Sequence, residues 1–462
     1  MVLIEGKQHM CIDAYMCQEG EVNSIAKDDA AKVQFEMNPD EFFQDYHRDV
    51  FKQAPIEFWI DGWKIEYLAI ADPKTKYNTP IVIIGGAFQN FNSYKYCVEQ
   101  LFHSGPVILI DLPSMGSNQQ IYNSNTGASA ATLELADLSF MLGQWMDGMG
   151  IKNISVMGMS LGSVVASHFA DQRPELVDRM ILMGVMQKTR PSWRMIMEES
   201  LKLMQEGRMQ EFGQAVILYL VNHAKFDKTR MSPTAKRLFF QQMAEFTTTE
   251  QLRYEINCNR LLRLKNVPIP TCKVLVAAGQ YDSFTLPFEN AQFALQCPNM
   301  EFALIANADH VPQLQRRKET MQLFSTYMRG EPIQDLDGII PMGRAQMHMM
   351  ERRGEERIVV QQPHTIMTHR HSELQANVKI VNINFFGVLI EVQESNKTQE
   401  VGRYARDMSL HLQDEQGEFT IECLIFEMKQ NRLRILFKHG SFDVADRLLQ
   451  YVQTQKEALL AH

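Results

Sequence analysis

Short, wholly apolar runs recur through the middle of the chain: PIVIIGG from Pro80, PVILIDLP from Pro106, NISVMGMS from Asn153, RMILMGV from Arg179, CKVLVAAG from Cys272 and EFALIANA from Glu301. Each has the length of a strand buried on both faces, and helix-length segments separate most of them. That rhythm predicts a mostly parallel sheet covered by helices on both sides, an α/β architecture. Just upstream, IEFWIDGWKIEYLAI alternates apolar and polar positions around Asp61-Gly62, the signature of a β-hairpin. Earlier still, NPDEFFQDYHRDVFKQ predicts a short helix capped by Asn38 or Asp40, with Phe42, Phe43 and Tyr46 at helical spacing.

One interval breaks the rhythm. More than eighty residues part RMILMGV from CKVLVAAG, and they carry amphipathic helical patterns with little strand signal. An all-helical insertion there, about 188–268, would sit above the strand ends as a lid. Its methionines (Met195, Met197, Met204, Met209, Met231 and Met243) would either line an adaptable apolar pocket or fill the core between lid helices. After MQLFSTYMRG the pattern shifts to proline- and glycine-punctuated sequence, which reads as a linker over 329–350. Beyond it, short alternating segments (ANVKIVNINFFGVLIEV, DMSLHLQD, FTIECLIFEM, RLRILFKH) predict a small antiparallel β-barrel closed by a helix from Ser441. The domain plan is an N-terminal extension of unassigned role (1–54), an α/β domain (55–328), the linker, and a barrel domain (351–462).

Composition narrows the class. A chain of 462 residues with 45% hydrophobic and 22% charged positions is that of a multidomain globular protein. Its formal net charge of -9 argues against a chain-wide grip on DNA or RNA. No apolar run reaches the length of a membrane span, and the N-terminus has no signal-peptide core. The seven cysteines are scattered without CxxC pairs, which suits reduced thiols and a cytoplasmic setting. The histidines of PHTIMTHRH follow no metal-ligand spacing, so no metal site is expected.

Candidate chemistry centres on Gly158-Met159-Ser160-Leu161-Gly162. Such a pentapeptide matters only between a strand and a helix, where the turn is so tight that its flanking positions must be small. ISVM supplies the strand and LGSVVASHFA the helix. A serine needs a base, and the base an orienting carboxylate. KVLVAAGQYDSF presents Asp282 after one strand, and EFALIANADHVPQ presents His310 after the next. Asp309 rivals Asp282, but adjacent residues rarely point at each other. The oxyanion donors would be the backbone N–H groups of Leu161 and of Ala87 in GGAF, with Phe88 as the weaker alternative.

With GGAF, DLPSMGS, GMSLGS, GQYD and DH in this order, the domain resembles the α/β-hydrolase fold. Within it, GGAFQNFNSY, ILIDLPSMGSNQQ, LLRLKNVPIP and GQYDSFTLPFENAQF are similar to acyltransferases that take hydroxyalkanoyl groups from acyl carrier protein thioesters. The resemblance implies an acyl ester or thioester substrate, with acyl carrier protein as a partner, and no cofactor for catalysis.

In the C-terminal part, Arg352-Arg353-Gly354-Glu355-Glu356-Arg357 precedes a strand, and Asn382-Ile383-Asn384-Phe385-Phe386-Gly387 follows about thirty residues on. Alone, the first is an ordinary balanced charge run. Together they resemble the RxxxR and [D/N]xSxxG motifs of PilZ domains, with Asn384 in place of the serine. The resemblance implies a cyclic di-GMP site made by Arg352, Arg353, Arg357, Asn382, Asn384 and Gly387. The whole is expected to be a serine acyl-enzyme fused to a nucleotide sensor. The alternative is a non-catalytic effector that uses the hydrolase fold as a binding platform.

Overall fold

The structure, a computed structural model, describes residues 36–229 and 231–460. Its larger part is one mixed sheet of ten strands: β1 (Gln44–Asp45), β2 (Ile56–Ile60), β3 (Trp63–Ala71), β4 (Ile81–Ile84), β5 (Val107–Asp111), β6 (Ile154–Met159), β7 (Val177–Met183), β8 (Lys273–Gly279), β9 (Met300–Ile305) and β10 (Ile339–Pro341). The order is β1-β3-β5-β4-β6-β7-β8-β9-β10, with β2 paired to β3. The central strands run parallel, while β3 joins β5 and β10 joins β9 antiparallel.

Alternate residues of each apolar run serve opposite faces, as a doubly covered sheet requires. Val82, Ile84, Val156 and Leu182 pack under the helices Leu135–Gly148 and Leu161–Gln172. Ile81, Ile83, Met157 and Ile181 pack under Lys95–Leu101 and Arg317–Met328. Asp61-Gly62 forms the β2–β3 turn, with both residues at positive φ.

Two expectations need correcting. The segment taken as a linker is built into the α/β domain: β10 pairs with β9, and Met347 is fully buried in the sheet's core. Its punctuated sequence marks the turns around an edge strand, not a free connection. The helix expected over 38–53 is split, because its chain stops to pair. Asn38 caps only Pro39–Phe42, β1 then adds to β3, and a 3-10 turn follows at Arg48–Lys52. Phe43, Val50 and Phe51 are buried there, so residues 36–54 belong to the α/β domain's core. The first 35 positions, with Cys11 and Cys17, lie outside the described residues.

Between β7 and β8 rises the helical insertion, chiefly Pro191–Gln205, Met209–Leu220, Pro233–Ala244 and Thr248–Arg263. The last of these is clamped to the β5 loop. Arg260, fully buried, donates to Ser114 Oγ (2.9 Å) and to the carbonyls of Ala130 and Leu133 (both 2.7 Å).

The C-terminal part is a closed six-stranded antiparallel barrel: β11 (His364–His369), β12 (Gln375–Asn384), β13 (Gly387–Val392), β14 (Met408–Asp414), β15 (Gly417–Lys429) and β16 (Arg432–Phe437), in the order β11-β12-β13-β16-β15-β14. It docks chiefly on the lid. Leu218 of the lid enters the barrel's apolar core, and Tyr219 Oη donates to the Phe437 carbonyl at 2.5 Å. Arg406 and Lys438 hold Glu199, and His223 Nε2 lies 2.6 Å from Asp446 Oδ1. Among the described residues no helix is long and apolar enough to cross a membrane.

Candidate active site

The turn from β6 into the next helix forces Ser160 to φ 51°, ψ -113°, a strained conformation for a residue with a side chain. The strain holds because both flanks are glycines in contact with backbone. A Cβ on Gly162 would lie 2.1 Å from the Ile84 carbonyl oxygen, and one on Gly158 2.7 Å from the Gly162 oxygen. The Ser160 N–H donates to the Met183 carbonyl (2.7 Å), and Ser163 Oγ donates to the same carbonyl (2.8 Å). The hydroxyl is thereby raised above the strand ends.

His310, from the loop after β9, places Nε2 3.2 Å from Ser160 Oγ. Its Nδ1 lies 2.9 Å from Asp282 Oδ2, in the loop after β8. Asp282 is in turn fixed: Oδ1 accepts the N–H groups of Phe284 (2.9 Å) and Thr285 (2.8 Å), and Oδ2 accepts the Thr285 hydroxyl (2.7 Å). Thr285 Oγ1 also stands 3.2 Å from His310 Nδ1. Sequence reasoning missed this residue, though its position three after the acid is that of a loop-closing Asx turn. The Phe284 ring meets the imidazole edge-on at 5.0 Å. Burial alone would disfavour the charged imidazolium, but the charge and hydrogen bond of Asp282, helped by Asp309, outweigh it and raise the His310 pKa.

Asp309 points elsewhere. Its carboxylate accepts from Gln315 Nε2 (2.6 Å), Asn222 N (3.0 Å) and Val311 N (3.1 Å), tying the histidine loop to the end of a lid helix. Burial, opposed by these donors, pushes its pKa up to about 7.

Leu161 opens its helix, so its N–H has no acceptor one turn back. Among the described residues the Ala87 N–H donates to no backbone or side-chain acceptor. Gly86 lets this strand-end loop approach the serine: a Cβ there would be 3.3 Å from Ser160 Cβ. Phe88 instead sends its ring into the lid, stacked on Tyr254 at 5.4 Å.

Ser160 and His310 open into a largely apolar cavity of about 530 Å³. Val216, Leu220 and Phe239 of the lid line it, together with Leu424, Lys438 and His439 of the barrel. The barrel's share had no signal in the sequence, because it depends on docking. Of the six lid methionines only Met197 reaches the cavity. Met204, Met209 and Met243 pack into the lid's own core, and Met231 into a smaller cluster.

The arginine segment and the asparagine turn also meet. Ile358 and Ile383 exchange backbone hydrogen bonds (2.9 Å each), and Arg357 Nη1 donates to Asn382 Oδ1 at 3.1 Å. Asn384 Oδ1 accepts the N–H groups of Phe386 (3.1 Å) and Gly387 (3.0 Å), while its Nδ2 donates to the Glu355 carbonyl (3.2 Å). Gly387 answers to the barrel itself, since a Cβ there would lie 2.2 Å from the Ile435 oxygen. Arg353 and Arg357 form no ion pair among the described residues. Burial, then the charges of Arg353 and Arg434, lower the Arg357 pKa. The Arg352 guanidinium lies over the Phe288 ring at 5.5 Å. Gly354 faces the acid's loop, where a Cβ would be 3.0 Å from Leu286 Cδ2.

A strained serine at a strand–helix turn, met by a histidine and an acid from the ends of later strands, defines a class of α/β proteins with a serine nucleophile geometry. Residues 79–316, just over half of the chain, match the family described as the alpha/beta hydrolase fold, and the chain belongs to that family. Among solved structures, an α/β hydrolase enzyme, MGS-M2, from a Medee basin deep-sea metagenome library is 19% identical, with a TM-score of 0.51 over 61% of this chain and 100% of its own. A thermophilic esterase from Thermogutta terrifontis is 18% identical (TM-score 0.49; 60% of this chain, 98% of its own). The enol-lactonase from Burkholderia xenovorans LB400 is 14% identical (TM-score 0.48; 60% and 100%). At these identities the likeness is one of fold. A search of curated proteins finds no match.

Proposed function

We propose that this protein is a serine acyl-enzyme acting on esters or thioesters with an apolar acyl group. The observation that carries the reading is the Ser160–His310–Asp282 chain, with spacings of 3.2 and 2.9 Å, opening into a 530 Å³ apolar cavity. His310 Nε2 takes the Ser160 proton as Oγ attacks the carbonyl. The N–H groups of Leu161 and Ala87 receive the negative charge that develops on the carbonyl oxygen. His310 then gives its proton to the leaving alcohol or thiol. The acyl-enzyme passes to water, or to a hydroxyl acceptor if the lid keeps water out. The acyltransferase resemblance makes acyl carrier protein thioesters a donor to test beside simple esters.

The barrel is proposed as a PilZ-type module that binds cyclic di-GMP through Arg352, Arg353, Arg357, Asn382 and Asn384, with Gly387 shaping the turn. The Arg357 guanidinium, bonded to the Asn382 amide, and that of Arg353 have no ion-pair partner among the described residues, which suits phosphates and a guanine edge. Asn384 caps its turn through Oδ1, as a shorter hydroxyl side chain would. The arginine segment abuts the loop that carries Asp282, which supports regulation of the acyl chemistry by the nucleotide.

The test is turnover of p-nitrophenyl esters and acyl thioesters by the parent and Ser160→Ala, with fluorophosphonate labelling. Loss of activity by at least about a thousandfold and loss of label in the variant are expected. A parent with neither labelling of Ser160 nor turnover of any acyl substrate would favour a binding platform.

A further inference from the structure

Residues 86–89, between β4 and the 3-10 turn Phe91–Tyr94, form a turn that is closed twice. The Gln89 N–H donates to the Gly86 carbonyl at 3.1 Å, and the Gly86 N–H donates back to the Gln89 side-chain oxygen Oε1 at 2.7 Å. A backbone N–H can only donate, so the side-chain atom facing it is the amide oxygen and not the nitrogen. The same Oε1 accepts the hydroxyl of the buried Tyr94 at 2.6 Å, which ties the amide to the apolar core under Lys95–Leu101.

Ala87 and Phe88 are the two central residues of this turn. Phe88 is held by the lid: its carbonyl accepts from Gln242 Nε2 at 3.3 Å, and its ring stacks on Tyr254. The turn also lies against the nucleophile. A Cβ on Gly86 would stand 3.0 Å from Gln89 Oε1, 3.2 Å from the Met159 carbonyl oxygen and 3.3 Å from Ser160 Cβ. Ala87, Gln89 and Ser160 line the same cavity. A turn closed between its first and fourth residues leaves the N–H of its second residue outside the hydrogen-bonded ring, and that N–H is Ala87's. An apolar side chain at position 89 would take the acceptor from the Gly86 N–H and the Tyr94 hydroxyl, and a single backbone bond would then close the turn. An oxyanion donor acts to full effect only when it is fixed in place before the charge develops.

We propose that Gln89 is a positioning residue for the oxyanion site: by accepting from Gly86 and Tyr94 it fixes the turn that presents the Ala87 N–H beside Ser160. The proposal rests on the acyl-enzyme reading, and Gln89 acts through Ala87 rather than on the substrate.

The experiment uses the full chain and three variants: Gln89→Met, which keeps the length and removes the acceptor, Tyr94→Phe, and the two combined. In Gln89→Met, kcat for a p-nitrophenyl ester is expected to fall about tenfold to a hundredfold with KM within about twofold of the parent. Affinity for an alkyl trifluoromethyl ketone falls by the same factor. Its carbonyl carbon bonds Ser160 Oγ, the serine proton passes to His310, and the carbonyl oxygen becomes the anion that the donors receive. Binding of the intact ester to Ser160→Ala is expected to be equal with and without Gln89→Met, because no charge develops there. Tyr94→Phe gives a smaller loss in kcat, and none when added to Gln89→Met, since Tyr94 acts through the same oxygen.

Unchanged kcat and ketone affinity in Gln89→Met overturn the proposal. So does a loss carried by KM and matched in ester binding to Ser160→Ala, which would make Gln89 a part of the cavity wall and no more. Should urea unfolding show Gln89→Met to be unfolded, Tyr94→Phe carries the test, and an unchanged kcat there overturns the proposal. A parent with neither Ser160-dependent turnover nor a ketone adduct defeats the acyl-enzyme reading itself, whereas an active parent with an indifferent Gln89→Met defeats this proposal alone.

Discussion

At the scale of single residues, the site is a contest between burial and charge at one imidazole. Burial would keep His310 neutral, and the Asp282 carboxylate more than offsets it, so the proton is held to higher pH than by a free histidine. The base must be neutral to act. Turnover through Ser160 is therefore expected to be low at acid pH, to rise as the imidazolium deprotonates, and to reach half its plateau above the ordinary histidine value of 6.5. Asp282→Asn removes the charge that raises the pKa, so the surviving activity should have its acid limb displaced to lower pH, beside a large fall in kcat. A kcat/KM profile that is flat across this range, or an acid limb unmoved in Asp282→Asn, would contradict this assignment. The choice between Asp282 and Asp309 was legible from adjacency alone, since Asp309 is turned towards Asn222 and Gln315. Thr285 was not legible, because no sequence pattern says which hydroxyl a carboxylate will recruit.

At the scale of elements, the serine's position depends on how closely the nucleophile helix meets β4. The hydrogen-bonded pairing of β4 with β6 brings the Ile84 carbonyl to within 2.1 Å of where a Cβ on Gly162 would stand. That neighbour is backbone and cannot rotate away. Gly162→Ala is expected to cost about 1–3 kcal/mol, read as a lower urea midpoint at unchanged slope, and to lower kcat by moving the Leu161 N–H and the Ser160 Oγ together. An alanine variant as stable and active as the parent would mean that the helix has room the geometry denies it. The strands that build this junction were readable because each is a short apolar run. β1 and β10 escaped because a strand of two or three residues at a sheet edge has too few positions to show a period. The lid methionines escaped for a different reason. Methionine packs equally well in a pocket or in a core, and only the helix crossing decides.

At the scale of the whole molecule, the two sites are not separate. The arginine segment rests by Gly354 on Leu286 and Ser283, directly after the triad's acid, while Phe385 and Phe386 from the asparagine turn press on His439 and Tyr219 in the cavity wall. Ser283 Oγ donates to the Tyr219 carbonyl at 3.1 Å, which joins the two routes. Neither contact could be read from motifs, since each domain's motif is local and the docking surface carries no pattern. A ligand that binds at Arg353 and Arg357 regulates the triad only if it has different affinity for two arrangements of this junction, and any such coupling must run in both directions. If the barrel binds cyclic di-GMP as proposed and acts through this junction, its affinity should differ between the free protein and the protein blocked at Ser160 by a fluorophosphonate, by about fivefold or more. Arg357→Ala should weaken nucleotide binding by about tenfold to a hundredfold, as expected for a lost charge-assisted hydrogen bond. Leu286→Ala should leave nucleotide affinity in the free protein unchanged but bring the blocked and free values together. Equal affinities in the blocked and free parent would leave a sensor that binds its nucleotide without acting on the serine. A blocked-to-free difference that survives Leu286→Ala would move the coupling from the acid's loop to the Phe386–Tyr219 contact.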